Sequence, residues 1–154
     1  MDVALKLQLD STFDISIENG DLAGDEGLDT ALAISLFTDR RVTDEQLPQG
    51  ISEKRGWWGD MFADVDQDQI GSRLWTLQRE KRTQELLRRA EDYAREALQW
   101  LIEDGVASSI KATAEFIGDS QSRTWAIQVS VTRPSGRTSR YEVVWTKQSL
   151  KRVA

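Results

Sequence analysis

Two short runs of strict alternation open the chain. Leu5, Leu7 and Leu9 are separated by Lys6 and Gln8, and Phe13, Ile15 and Ile17 by Asp14 and Ser16, with Asp10-Ser11-Thr12 between the runs. A period of two marks strands with one buried face, so the pattern predicts a short N-terminal hairpin. Asn19-Gly20-Asp21 and Gly24 interrupt it. Over 27–38 the period lengthens, placing Leu28, Leu32 and Ser35/Leu36 on one face of a short helix. Asp25, Glu26 and Asp29 gather at its positive end.

Residues 39–70 show little periodicity and carry Pro48, Gly50, Gly56 and Gly59, but also Trp57, Trp58 and Phe62. Aromatic side chains are not left in water without a purpose, so this stretch reads as an ordered connecting loop. Residues 79–104 then give the strongest helical pattern. Leu86, Ala90, Tyr93, Ala97 and Leu101 form one line, and Leu87, Ala94, Leu98 and Ile102 form the next. Glu85/Arg89 and Glu91/Arg95 stand at i,i+4 in the favourable order, and Gly105 suits a left-handed helix end.

Three alternating runs follow: Ile110 to Phe116, Trp125 to Val131, and Tyr141 to Trp145. Gly118-Asp119-Ser120 and Arg133-Pro134-Ser135-Gly136-Arg137 form the breaks between them. The expected fold is α+β: an N-terminal hairpin and short helix, then a long amphipathic helix packed on a C-terminal three-stranded antiparallel meander. The expected domain spans 1–154, with 148–154 as a flexible tail. A chain of 154 residues suits one domain.

Composition narrows the chemistry. There is no cysteine and no histidine, which removes disulfides, thiolate nucleophiles, Cys/His zinc sites and the Ser-His-Asp triad. No cofactor is expected. The longest uncharged apolar stretch, 31–38, is far short of the ~20 residues a membrane span needs. The chain reads as soluble and made in a cytoplasm, with no membrane partner. The net charge of −6 conceals an asymmetry: residues 1–70 hold 16 acids and 5 bases, net −11, and residues 71–154 hold 10 acids and 15 bases, net +5. Such a split disfavours a nucleic-acid partner and suits head-to-tail contact between copies of the chain, though it also suits two compensating faces of one fold.

Three local constellations invite chemistry. Asp64, Asp66 and Asp68 have the spacing that opens a calcium loop, but Gln69 and Trp75 occupy the positions of its glycine and bidentate glutamate. Glu53 and Asp60 flank an indole platform, as a peptidoglycan hydrolase would require. The alternative for that turn is structural: its glycines plug one or both indoles into the core while Arg55 and Asp60 pair across the base. Arg79, Lys81, Arg82, Arg88 and Arg89 form a basic stripe, diluted by Glu80, Glu85, Glu91 and Asp92.

Three strings occur in order: Arg55-Gly56-Trp57-Trp58-Gly59-Asp60, Gly71-Ser72-Arg73-Leu74-Trp75, and Ala97 through Val106, before the three-strand finish. On these the chain resembles the Mu-like phage family of small tail baseplate proteins, and more distantly the T-even phage wedge proteins that begin the tail sheath. The resemblance implies a non-enzymatic structural protein of a contractile phage or prophage tail. It would dock in the baseplate wedge beside other wedge, tube and sheath proteins, in several copies around the tail axis. Arg55, Gly56, Trp57, Trp58, Gly59, Asp60, Gly71, Arg73 and Trp75 are its implied motif and contact residues. An open sheet edge would lend backbone groups to the sheath, the N-terminal hairpin covering the other edge. The Glu-Pro-Arg signature of the T-even relatives is absent; Glu53-Lys54-Arg55 is the nearest string.

Overall fold

The computed structural model describes residues 2–7, 13–15, 17–22, 24–25 and 28–153. The N-terminal part is a nest of two-stranded antiparallel ladders built from β1 (Asp2–Val3), β2 (Leu5–Leu7), β3 (Phe13–Ile15), β4 (Ile17–Glu18), β5 (Asp21–Leu22) and β6 (Gly24–Asp25). β2 pairs with β3, β4 with β5, and β1 with β6. The first pairing is the expected hairpin, with Leu5 opposite Ile15 and Leu7 opposite Phe13. Leu9, the turn Asp10-Ser11-Thr12, Ser16, Glu26 and Gly27 lie outside the described residues. The second hairpin was hidden in what reads as a break: Asn19 (φ 54°) and Gly20 (φ 82°) both sit in the left-handed region, as a two-residue hairpin turn demands.

β1, β2 and β3 meet helix α1 (Asp29–Phe37), and among the described residues none of these ladders is hydrogen-bonded to the main sheet. Thr30 Oγ1 accepts from the Leu5 N–H and donates to the Val3 carbonyl, both at 3.2 Å. The Phe13 ring lies 5.7 Å from that of Phe37. The expectation that the hairpin covers an edge of the meander is therefore corrected: Thr30, a polar residue on a buried helix face, holds it against α1. Leu28, Leu32 and Leu36 are buried along the expected face.

Helix α2 (Gln84–Leu98) begins five residues later than the pattern suggests, because Thr83 caps it by accepting from the Leu86 N–H at 3.2 Å. After Gln99 a short helix α3 (Trp100–Glu103) continues, and Gly105, at φ 72°, terminates it in the left-handed conformation. The stripe Leu86, Leu87, Ala90, Ala94, Ala97, Leu98 and Leu101 is buried.

It packs on a four-stranded antiparallel sheet ordered β7 (Ser109–Phe116), β8 (Trp125–Thr132), β9 (Thr138–Val144) and β10 (Ser149–Arg152). Ala112, Val129 and Tyr141 are aligned across the inner face, as are Ala114, Ile127, Val143 and Leu150. The outer face is polar; Gln128 donates to Glu142 at 3.0 Å. The fourth strand comes from the segment expected to be a tail. A 3-10 turn at Trp145–Lys147 and a left-handed Gln148 (φ 46°) reverse the chain, so Leu150 packs opposite Val143. One apolar side chain among Lys147, Gln148, Lys151 and Arg152 gave no alternation to read. Trp145, expected inside the last strand, lies in that turn. It stacks on Trp125 at 6.3 Å and donates from Nε1 to the Leu36 carbonyl at 3.2 Å.

Tyr141 sits at the centre of this core with its hydroxyl oxygen buried, close to Ser139 and the Leu28 backbone. Burial first, and the nearby Asp29 carboxylate second, push its phenol above the ordinary value of 10.0. A raised acid releases its proton later in the folded than in the unfolded chain. Its stabilisation is therefore complete below the ordinary value and is lost as pH rises through the folded one. Wild-type stability is expected to fall as pH is raised past about 10, and Tyr141→Phe to fall less over that interval. Denaturant titrations of both proteins at neutral and alkaline pH check this; parallel losses would refute it.

Candidate functional site: a clasped turn and its apolar ridge

Between α1 and α2 the chain leaves the core and returns, and the two limbs are bonded where they cross. Ser72 donates from its N–H to the Thr38 carbonyl at 2.9 Å, and Arg40 donates to the Ser72 carbonyl at 3.0 Å. Asp39 and Ser72 form a parallel bridge. Gly71 stands at the crossing with φ 100°; a Cβ there would lie 2.3 Å from the Thr38 oxygen. Ser72 Oγ adds a 2.7 Å bond to the Leu36 carbonyl, the same oxygen that Trp145 uses.

The returning limb enters a 3-10 turn, Leu74–Leu77, all four residues buried. Trp75 is 2% exposed and donates from Nε1 to the Arg40 carbonyl at 2.9 Å. The Arg55 guanidinium lies 4.5 Å from the Trp75 ring centroid and pairs with Asp39 at 2.7 Å. Arg41 in turn donates to the Arg55 carbonyl at 3.2 Å. Gly56 is held so close that a Cβ would meet the Arg41 Cβ at 2.7 Å. Arg73 anchors the assembly to α2, pairing with Glu96 at 2.8 Å and lying 4.2 Å from the Tyr93 ring centroid.

Above this clasp the 3-10 turn Trp58–Phe62 is fixed from both sides. Asp60 Oδ1 accepts from the Ile70 N–H at 3.1 Å, and Gly59 lies under the Trp57 ring, where a Cβ would come within 2.1 Å. Two expectations are corrected here. Arg55 pairs with Asp39 and not with Asp60. Neither Trp57 nor Trp58 plugs the core; the buried indole of this region is Trp75. Trp57 (46% exposed), Trp58 (69%), Met61 (79%), Phe62 (73%) and Val65 (66%) form an exposed apolar ridge instead. Trp58 lies 5.5 Å from Trp57 and meets Phe62 edge-on at 6.1 Å.

Other candidate residues are dispersed. Asp64, Asp66 and Asp68 are exposed, and among the described residues no group of three or more carboxylates is positioned to hold a metal ion. Glu53 is exposed and Asp60 is engaged by Ile70; neither lines the open groove of about 560 Å³ beside the clasp, which Arg40, Arg41, Lys54 and Glu96 help to form. In the basic stripe, Arg82 spans to the β7–β8 turn, donating to the Asp119 and Ser122 carbonyls at 2.9 and 2.8 Å. Arg89 pairs with Glu80 at 2.6 Å. Sequence reasoning missed Asp39, Arg41 and Glu96, whose partners lie 14 to 23 residues away. It also missed Met61 and Val65, which stand three and seven positions after Trp58.

All nine motif residues lie within residues 28–138, the stretch matched by the family model described as "Phage protein GP46". The chain belongs to the phage protein GP46 family. Among its relatives, "Baseplate protein gp46" of Escherichia phage Mu is 44% identical over 131 residues, covering 84% of this chain and 86% of that protein. "Mu-like prophage FluMu protein gp46" of Haemophilus influenzae (strain ATCC 51907 / DSM 11121 / KW20 / Rd) is 41% identical over 125 residues, 81% and 82% of the two chains. The Mu-like resemblance is thus established for this GP46 chain. No helix among its described residues is long and apolar enough to cross a membrane.

The two classes of tryptophan separate by mutation. Trp75→Ala is expected to cost about 3–5 kcal/mol, as buried aromatic truncations do, and Trp58→Ala to stay within about 0.5 kcal/mol of wild type. Urea unfolding of both variants measures this; comparable losses would contradict the assignment. Gly71→Ala places its methyl against the Thr38 oxygen in a left-handed backbone and is expected to lower the melting temperature more than Gly50→Ala. Gly50 shares a positive φ, but a Cβ there meets nothing within 4 Å.

Proposed function

We propose that this protein is a structural component of a contractile phage or prophage tail baseplate. It docks in the wedge, in several copies around the axis, and helps to start the sheath. The observation that carries this reading is the clasped turn that holds five large apolar side chains in water, in a family that includes a relative called a baseplate protein. A monomer gains nothing from such a patch, whereas a subunit awaiting neighbours does. Trp57, Trp58 and their ridge form the docking surface. Arg55, Gly56, Gly59, Asp60, Gly71, Arg73 and Trp75 set its position. No bond-breaking step is assigned to any of them.

The two edges of the main sheet differ in what they can offer a sheath strand. On β7 the Ala114 N–H already donates to the Glu91 carboxylate at 2.9 Å, so a charged side chain blunts that edge. On the other side the Val153 N–H turns inward to the Arg140 carbonyl at 2.8 Å. By alternation the N–H groups of Leu150 and Arg152 then face away from β9. The β10 edge is the one we assign to strand addition by a tube or sheath neighbour.

Baseplates purified from the induced lysogen and digested for mass spectrometry are expected to contain this chain; its absence from assembled baseplates would overturn the proposal. Arg152→Pro removes one outward donor without touching the ridge. It is expected to leave baseplates intact while lowering the fraction that carries sheath, scored by electron microscopy. Normal sheaths would return the strand-addition part to β7 or to no edge at all.

A further inference from the structure

We infer that the ridge of Trp57, Trp58, Met61, Phe62 and Val65 seats in an apolar groove rimmed by arginine or lysine on a different subunit of the particle; this rests on the baseplate reading and names the chemistry of its partner. The ridge is exposed by 46% to 79% at these five positions, and its rim is acidic. Glu53, Asp64, Asp66 and Asp68 are exposed around it. The two bases of the same stretch are already committed, Lys54 to Asp44 at 2.9 Å and Arg55 to Asp39 at 2.7 Å. Bringing an apolar wall against this turn removes water from those carboxylates, which is unfavourable unless cations meet them. A guanidinium satisfies both demands at once, pairing with a carboxylate and stacking on an exposed indole face.

A second copy of this chain does not supply that surface. Its basic end, residues 133–152, holds six bases and one acid, but none of its large apolar side chains is exposed. The open groove there, walled by Gln78, Thr146, Lys147 and Gln148 beside Trp145, and the one beside the clasp, walled by Arg40, Arg41, Lys54 and Arg73, are lined mainly by polar and charged side chains, so they offer charge without an apolar wall. A lipid surface is also a poor match, because anionic headgroups meet an acidic rim.

The test complements a lysogen deleted for this gene with three forms: wild type, Trp58→Ala/Met61→Ala/Phe62→Ala, and Asp64→Lys/Asp66→Lys/Asp68→Lys. The chain is then quantified in purified baseplates against the tube protein. Both variants are expected to melt like wild type and to be incorporated at least about tenfold less, the scale of a lost hot spot. Normal incorporation of the charge-reversed form removes the basic rim from the proposal, and normal incorporation of the alanine form removes the ridge. Either result leaves the baseplate role standing if wild type is present, whereas absence of wild type refutes that role itself. Two results on purified wild type would also overturn the inference. One is self-association in sedimentation velocity that the alanine form loses, which assigns the ridge to a second copy. The other is co-pelleting with phosphatidylcholine/phosphatidylglycerol vesicles, which assigns it to a membrane.

Discussion

The crossing of residues 38–40 with 71–73 is the constraint on which the rest of this structure depends. Two backbone hydrogen bonds, which together make the Asp39–Ser72 bridge, join limbs that are more than thirty residues apart in the chain. The crossing is possible only because position 71 lacks a side chain. Once the limbs are joined, Trp75 falls beneath the outgoing strand and Arg55 covers it. The intervening loop becomes a closed excursion whose ends cannot separate without uncovering the core. A long irregular segment is thereby given a fixed shape without any helix or sheet of useful length.

The same crossing ties three layers together. The Leu36 carbonyl, at the end of α1, accepts from Ser72 of the crossing and from Trp145 at the end of the sheet. Trp145 stacks on Trp125 and so reaches β8, while Arg73 reaches α2 through Glu96 and Tyr93. The exposed ion pairs add little stability each. Their value lies in direction, because planar guanidinium groups stacked on Trp75 and Tyr93 fix how the turn leaves the body of the protein.

The helix on the sheet was legible because burial there follows a regular period. The rows from Leu86 to Leu101 and from Trp125 to Val131 repeat every three to four and every two residues, and burial obeys them. Where local chemistry outweighs the period, reading by pattern fails. Thr83 starts α2 late by capping it, Asn19-Gly20 makes a hairpin where alternation stops, and β10 carries a single inward leucine. The site was legible as a list of residues but not as an arrangement. Arg-Gly-Trp-Trp-Gly-Asp is conspicuous in the sequence, yet nothing in it reveals that Arg55 belongs to Asp39 and Trp75, or that Asp60 belongs to Ile70. Those pairings exist only after the crossing has formed.

The same region separates its indoles, one inside and two outside. Adjacent tryptophans in a glycine-bounded turn have no intrinsic preference for solvent, and burying them would remove considerable apolar surface from water. Trp75 takes the buried place behind the crossing, where its indole N–H finds the Arg40 carbonyl, while Trp57 and Trp58 stay exposed. The turn that carries them is held at two points, by Asp60 on Ile70 and by the Trp57 ring over Gly59. Rigidity matters for a surface proposed to meet another subunit, since side chains ordered before contact lose less freedom on contact. A local rule is broken at one place while every element around it obeys its own, and that is the pattern expected where a fold has been shaped for association.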